Sequence, residues 1–454
     1  FNDITGAASS RTVPVFAPTT ASFAGNAPAN APAVMYELRS SMNVSADNSL
    51  WQGNLERVRY TCDGFDSKKE LIQDNAGDNF GANLDDAPVT GALERKFFTV
   101  VPIDQSESTD VTKVVEGSIR SDQTNPNAAD GLFESGSNEG DFERLGGGTS
   151  DFASVDALQN YRAIAAAIDA RSGNDAADIL GVNAADCLGA VGDATPSVCA
   201  DRVLRWYGGD PDPDDASTVA PSRSAQTGSQ CADVVCSPFG AIYRTVPVIV
   251  PPPSEADSDD ANYGRARTAS GAPSFVGDHG LRPTMVYSQT IDGMLHAFVM
   301  SKNDYTGGAY DVAPDAGTLD NNALWSFIPP AILPNIFSNF ASHSRQLDGQ
   351  LAWANVTYDR DRGVDDLNWE YRTVLVGSSG AATHAKGFYY ALDVTDPFNP
   401  KFLWQLSTSG DNDGEPKERL FGNIPPSAAI TNILFREPDA PNDVRNVAVA
   451  ILPG

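Results

Sequence analysis

The sequence has no apolar run of about 18 residues, so it offers no membrane-spanning helix. Basic side chains are scarce: 31 Lys and Arg stand against 60 Asp and Glu, a formal charge of −29. Such a field repels nucleic acid and anionic lipid at long range and makes neither an expected partner, whereas divalent cations remain possible ones. Only four histidines occur (His279, His296, His343, His384), none in HExxH or in another pair at metal spacing. The five cysteines form no CxxC and no CxxCH haem site. No basic, apolar, small-residue leader opens the chain. Because it starts at Phe1 rather than Met and stops after the apolar VAVAILPG, a removed leader and a fragment are expected.

Glycine (39) and proline (30) are plentiful, and 41 % of the 454 residues are hydrophobic, which suits short strands and turns around sizeable cores. Residues 1–33, rich in Ala, Pro, Thr and Ser, read as an extended arm or linker. Residues 34–241 hold first β elements at 34–41, 56–62 and 96–101, interrupted by polar and helical insertions. Helices are expected over 155–171, capped by Ser154 and ended by Gly173, and over 200–208. From 242 to 454 the character changes to short strands: 244–250, 284–289, 294–300, 323–327, 372–377, 387–394, 401–406 and 447–452.

Within that last region TIDGMLHAFVM pairs a turn dipeptide, Asp292-Gly293, with a strand apolar on both faces, as in a sheet buried between two others. Two stretches resemble each other: TMVYSQTIDGMLHAFV with ALWSFIP, and RTVLVGSSG with GFYYALDV and KFLWQLS. Thr284 and Thr373 lie roughly ninety residues apart, long for a repeat unit without inserted loops. SLWQGNLERVRY carries weaker traces of the same elements, and a third opening strand is expected near Val447. The fold class expected is mainly β with long loop insertions and a few short helices: a sandwich, a barrel or, where the two stretches are repeats, an incomplete β-propeller.

These segments, in this order, resemble the PilY/PilC proteins associated with the tip of bacterial type IV pili. TIDGMLHAF, ALWSFIPPAILPNI, TVLVG, YYALDVTDPFNPKFLWQ and LFGNIPP carry the resemblance; SLWQGNLERVRY, RKFFTV and SPFGAIYRTVPVIVPPP extend it upstream. The motif positions are Asp292, Gly293, Leu295, His296, Trp325, Pro329, Pro330, Asp393, Asp396 and Trp404. The resemblance implies a modified, quinoprotein-like propeller, export to the cell surface or pilus tip, and roles in pilus assembly, surface adhesion and twitching motility. It implies minor pilins and the tip complex as partners, and a host or abiotic surface. No Asp-x-Ser-x-Ser motif of a von Willebrand A-like domain is present, and the family's calcium loop carries onto no residue here.

Two acidic clusters are candidate calcium ligands: Asp411, Asp413 and Glu415 beside Gly414, and Asp210, Asp212 and Asp214. The second lacks an EF-hand's glycine and late glutamate, and both read first as solvated acidic turns. Cys187 with Cys199, and Cys231 with Cys236, can close small disulfide loops, leaving Cys62 over; export favours that reading. His296 reads as a satisfied core or channel histidine, and Trp325 and Trp404 as packing anchors in equivalent strands. Gly377-Ser378-Ser379-Gly380 matches neither a nucleophile elbow nor a phosphate loop. The expectation is a non-catalytic binding scaffold. The alternatives are a quinone-dependent propeller dehydrogenase and a structural surface-coat subunit.

Overall fold

The computed structural model describes residues 10–11, 15–17, 33–43, 52–62, 69–72, 96–99, 119–120, 143–145, 180–181, 239–254, 257, 263, 274–300, 323–338, 344–358, 370–381, 387–398, 400–406, 420–436 and 444–454. They are mostly β-strand, with few short helices and, among the described residues, no closed barrel. The expected helices at 155–171 and 200–208 lie outside them.

The first sheet holds β1 (Ser10–Arg11), β2 (Val15–Ala17), β3 (Ala33–Asn43), β4 (Gln52–Cys62) and β5 (Lys69–Ile72). Its centre is the long antiparallel pair β3–β4, running from Ala33↔Cys62 to Asn43↔Gln52. Two short strands within the stretch read as an arm, β1 and β2, pair with β3. SLWQGNLERVRY lies largely on β4 of this differently ordered sheet.

The second sheet is built on an antiparallel meander: β9 (Val248–Val250), β10 (Met285–Gln289), β11 (Leu295–Val299) and β12 (Ala323–Phe327). Its outer edge is extended by β6 (Lys96–Thr99), parallel to β12, and then by β8 (Glu143–Leu145). The third sheet repeats the meander with β13 (Leu351–Tyr358), β14 (Glu370–Ser378), β15 (Tyr389–Asp393) and β16 (Lys401–Leu406), and takes β7 (Ile119–Arg120) on its outer edge. A two-stranded sheet of β17 (Ala429–Arg436) and β18 (Val444–Ile451) follows.

The repeat expected from the sequence holds at the level of register. Ala297 pairs with Trp325, and a bulge follows at Ala297/Phe298. Ala391 pairs with Trp404, and a bulge follows at Ala391/Leu392. A small residue opposite the indole leaves room for the ring to lie along the sheet, and the bulge gives both strands the same local twist. Each meander begins one strand before the motif read from sequence, at β9 and β13. Val447 correspondingly sits within β18, the second strand of its hairpin, as β10 and β14 are second in theirs.

The sheets stack face to face. One side of the second sheet (Val286, Phe298, Ala323) forms a core with Leu38 and Leu55 of the first sheet and with Phe239 and Ile242. Its other side meets the third sheet, where the Phe327 and Tyr390 rings lie 5.7 Å apart. The far side of the third sheet (Val374, Val376, Tyr389, Ala391, Leu403, Trp404) packs on Phe421, Ala428, Ile430, Ala448 and Ala450 around the β17–β18 hairpin. Every residue of β10, β11 and β15 is therefore buried, which is why these strands are apolar on both faces.

Candidate functional site

The seam between the second and third sheets holds Trp325 and several buried polar groups, while other motif residues border it: His296 turns toward the first sheet, its ring 4.9 Å from that of Phe239, and Trp404 faces the core beyond the third sheet. At the middle of the seam Trp325 is 1 % exposed; its indole N–H donates to the Pro397 carbonyl at 2.8 Å, and its ring lies 5.7 Å from that of Tyr287. The indole thus ties the second sheet to the turn after β15, a turn shaped by two aspartates. Asp393 Oδ1 accepts from the Thr395 N–H at 2.9 Å, and Asp396 Oδ1 from the Phe398 N–H at 3.0 Å. These are local Asx turns of the kind that Asp favours. The Ala331 N–H adds a second tie, donating to Gln405 Oε1 at 3.0 Å.

At one end of the seam Arg282 is buried. Its Nη1 donates to Thr373 Oγ1 (2.7 Å) and to the Thr395 carbonyl (3.1 Å), and its Nη2 to the Pro251 carbonyl (3.0 Å). The network runs on: Thr373 Oγ1 donates to Asn355 Oδ1 (2.7 Å), Asn355 Nδ2 to the Tyr263 hydroxyl (2.8 Å), and that hydroxyl to Asp257 Oδ2 (2.9 Å). Desolvation, with the nearby Asp257 carboxylate, pushes the Tyr263 hydroxyl up and keeps it a donor. A helix, α1 (Phe275–His279), sits here; Ser274 Oγ accepts from the Gly277 N–H at 3.0 Å and caps it. Burial first, then Arg282 and Arg372, lower His279 to about 4, so it is neutral at physiological pH.

At the other end lie the hairpin turns. Gly293 has φ 94°, as the Asp-Gly dipeptide predicts, and its N–H donates to the Thr290 carbonyl at 3.0 Å. Asp292 is fully buried, accepts from the Thr290 hydroxyl, and packs on the backbone of Gly240, where a Cβ would strike its carboxylate. His296 is buried with Thr290 Oγ1 3.1 Å from Nε2 and Ser326 Oγ 2.8 Å from Nδ1. The Gln289 amide meets the buried Tyr390 hydroxyl at 2.7 Å. With its oxygen accepting there, its nitrogen donates to the Ser378 carbonyl at 3.2 Å and the Gly349 carbonyl at 3.0 Å. Desolvation pushes the Tyr390 hydroxyl up.

The remaining motif residues are also engaged within the fold. Leu295 is buried between Gln289 and Phe327 in register, the Pro329 carbonyl accepts from the Ile332 N–H at 2.9 Å, and Pro330 opens a 3-10 helix over Pro330–Asn335. Trp404 is buried in the next core. Asp411, Asp413, Glu415, Asp210, Asp212, Asp214, Cys187, Cys199, Cys231 and Cys236 lie outside the described residues. Among the described residues no group of three or more His, Cys, Asp and Glu is placed to hold a metal ion. No helix among them is long and apolar enough to cross a membrane. Sequence reasoning missed Arg282, Thr373, Asn355 and Tyr263. An arginine placed three residues before a strand apolar on both faces was the available signal.

No family model matches the chain, and no solved structure matches it significantly. Curated proteins do. A type IV pilus biogenesis factor PilY1 homolog of Xylella fastidiosa is 32 % identical over 180 residues, 39 % of this chain and 12 % of the relative. A second Xylella homolog of the same name is 25 % identical over 266 residues, covering 54 % of this chain and 15 % of its own length. The type IV pilus biogenesis factor PilY1 of Pseudomonas aeruginosa is 29 % identical over 138 residues, 29 % of this chain and 9 % of the relative. The matched stretches thus span a small part of these longer proteins. Over the stretches it shares with them, the chain is a relative of the PilY1 type IV pilus biogenesis factors.

Proposed function

We propose that the two meanders and the β17–β18 hairpin are successive blades of a quinoprotein-like β-propeller, serving as a non-catalytic scaffold in type IV pilus biogenesis. The observation that supports this most is the repeated register, Ala297↔Trp325 and Ala391↔Trp404, each followed by a bulge, in sheets stacked face to face. Side chains along the seam are engaged with one another, which makes a stiff body suited to presenting loops. The similarity to type IV pilus biogenesis factors supports a setting at the bacterial surface; the pilus tip, minor pilins as partners, and adhesion and twitching motility as outcomes are what this reading adds. Calcium at Asp411, Asp413 and Glu415, and disulfides Cys187–Cys199 and Cys231–Cys236, belong to the same reading.

The test is a pull-down in which this chain is bait for purified minor pilins. Retention of a pilin that survives 0.5 M salt supports docking through a buried surface. Failure to retain any minor pilin, with the bait folded by circular dichroism, removes the pilin-scaffold reading. A quinone absorption band with alcohol oxidation would replace it by the dehydrogenase reading, and self-assembly without pilins by the coat subunit.

A further inference from the structure

Two arginines stand together at the hairpin end of the seam, in a chain otherwise dominated by negative charge. Arg244 precedes β9 and Arg345 precedes β13, and each guanidinium carbon lies 5.4 Å from the centroid of the Tyr243 ring. Beneath them is Asp348, whose side chain is 0 % exposed; its Oδ2 is 3.9 Å from Arg244 Nε and 3.6 Å from Arg345 Nη1. These separations exceed hydrogen-bond length, and Oδ2 has no hydrogen-bond partner. Asp348 therefore supplies charge without using up the arginine donors. The arginine side chains are 50 % and 34 % exposed, so those donors remain open to a ligand.

The platform beneath is fixed. Asp348 Oδ1 accepts from the Ala381 N–H at 2.5 Å, and the Asp348 N–H donates to the Ser379 carbonyl at 3.2 Å. Gln350 holds the strand entry beside Arg244: its Nε2 donates to the Arg244 carbonyl, and its Oε1 accepts from the Val246 N–H at 3.3 Å. Two charge forks over one carboxylate leave one unit of positive charge. A planar carboxylate matches both the fork geometry and that excess, whereas a phosphate dianion would leave negative charge behind.

We propose that Arg244, Arg345 and Tyr243 form a receptor for a carboxylate group, presented by an acidic segment of a protein partner. The site stands on these residues alone and does not rest on the pilin reading. The test uses a rhodamine-labelled acetyl-tetraglutamate peptide, followed by fluorescence anisotropy at low salt. Saturable binding is expected, weakened at least tenfold in R244Q/R345Q and absent for tetraglutamine. Because removing both charges exposes Asp348 to an uncompensated burial, R244K/R345K is measured beside it. That variant keeps both charges but loses the forks, and should weaken binding about fivefold or more with the melting temperature retained. Competition by glutarate at equal concentration would place the carboxylate on a small acid rather than a peptide. Wild-type affinity in both variants, or equal displacement by inorganic sulfate, would overturn the assignment.

Discussion

Replacing Trp325 with alanine tests the central packing claim. A tryptophan covers roughly 200 Å² of surface, which at about 25 cal/mol per Å² is on the order of 5 kcal/mol; the alanine methyl retains a little of it. Large-to-small changes of this type cost about 3–5 kcal/mol. The indole N–H bond to the Pro397 carbonyl adds about 1 kcal/mol, because its loss leaves a buried acceptor unpaired. We expect about 4–5 kcal/mol for Trp325→Ala, read as a drop in the urea midpoint at unchanged slope. Trp325→Phe separates the two contributions, since it keeps most of the apolar contact and loses the bond; about 1–2 kcal/mol is expected. A loss under about 1 kcal/mol in the alanine variant would mean that the ring does not hold the second and third sheets together, and the register argument would lose its physical content.

Gly293→Ala meets two obstacles, a backbone at φ 94° and a Cβ placed 2.7 Å from Ile332 Cγ2; a cost of about 2–3 kcal/mol is expected in the same unfolding assay. Arg282→Met removes three hydrogen bonds linking residues far apart in sequence, and should cost about 3–5 kcal/mol, with Arg282→Lys recovering only part of it by chemical denaturation. His279 gives a pH dependence. Its folded value, about 4, lies below the ordinary 6.5, so the unfolded chain binds more protons between these limits and stability falls as the pH drops through that window. The loss should be on the order of 1–2 kcal/mol after allowing for partial solvent screening, and His279→Gln should flatten that part of a melting-temperature profile between pH 7 and pH 4.

What the sequence made legible was local. Asp292-Gly293 announces a turn through backbone sterics alone, and the strands at 323–327 and 401–406 have the bounds that their apolar pattern suggests. The recurrence of Ala and Trp at matching places was visible because both members of each pair lie within one meander. Strand β13 was not foreseen, because LAWANVTY mixes half-buried residues on both faces and shows no alternation. Strand β17 was missed for a related reason: Ala429, Thr431 and Ile433 on one face are exposed and yet largely uncharged. The polar networks were illegible in principle. Arg282 finds partners 31, 91 and 113 residues away, and Arg244 meets Asp348 only where two sheet ends come together. No local pattern encodes such meetings.

The pairing of β6 with β12 has a consequence for anyone shortening this protein. β12 carries Trp325, and its outer edge is covered by a strand from more than two hundred residues earlier in the chain, as that of β16 is covered by β7. Without residues 96–99 that edge would present bare amides and carbonyls, a template on which a strand from another molecule can add. Truncations that keep only the later half should therefore gain a tendency to stick to one another even if every contact within the meanders survives. Size-exclusion chromatography of a chain starting at residue 239 would show it as a shift toward multimers.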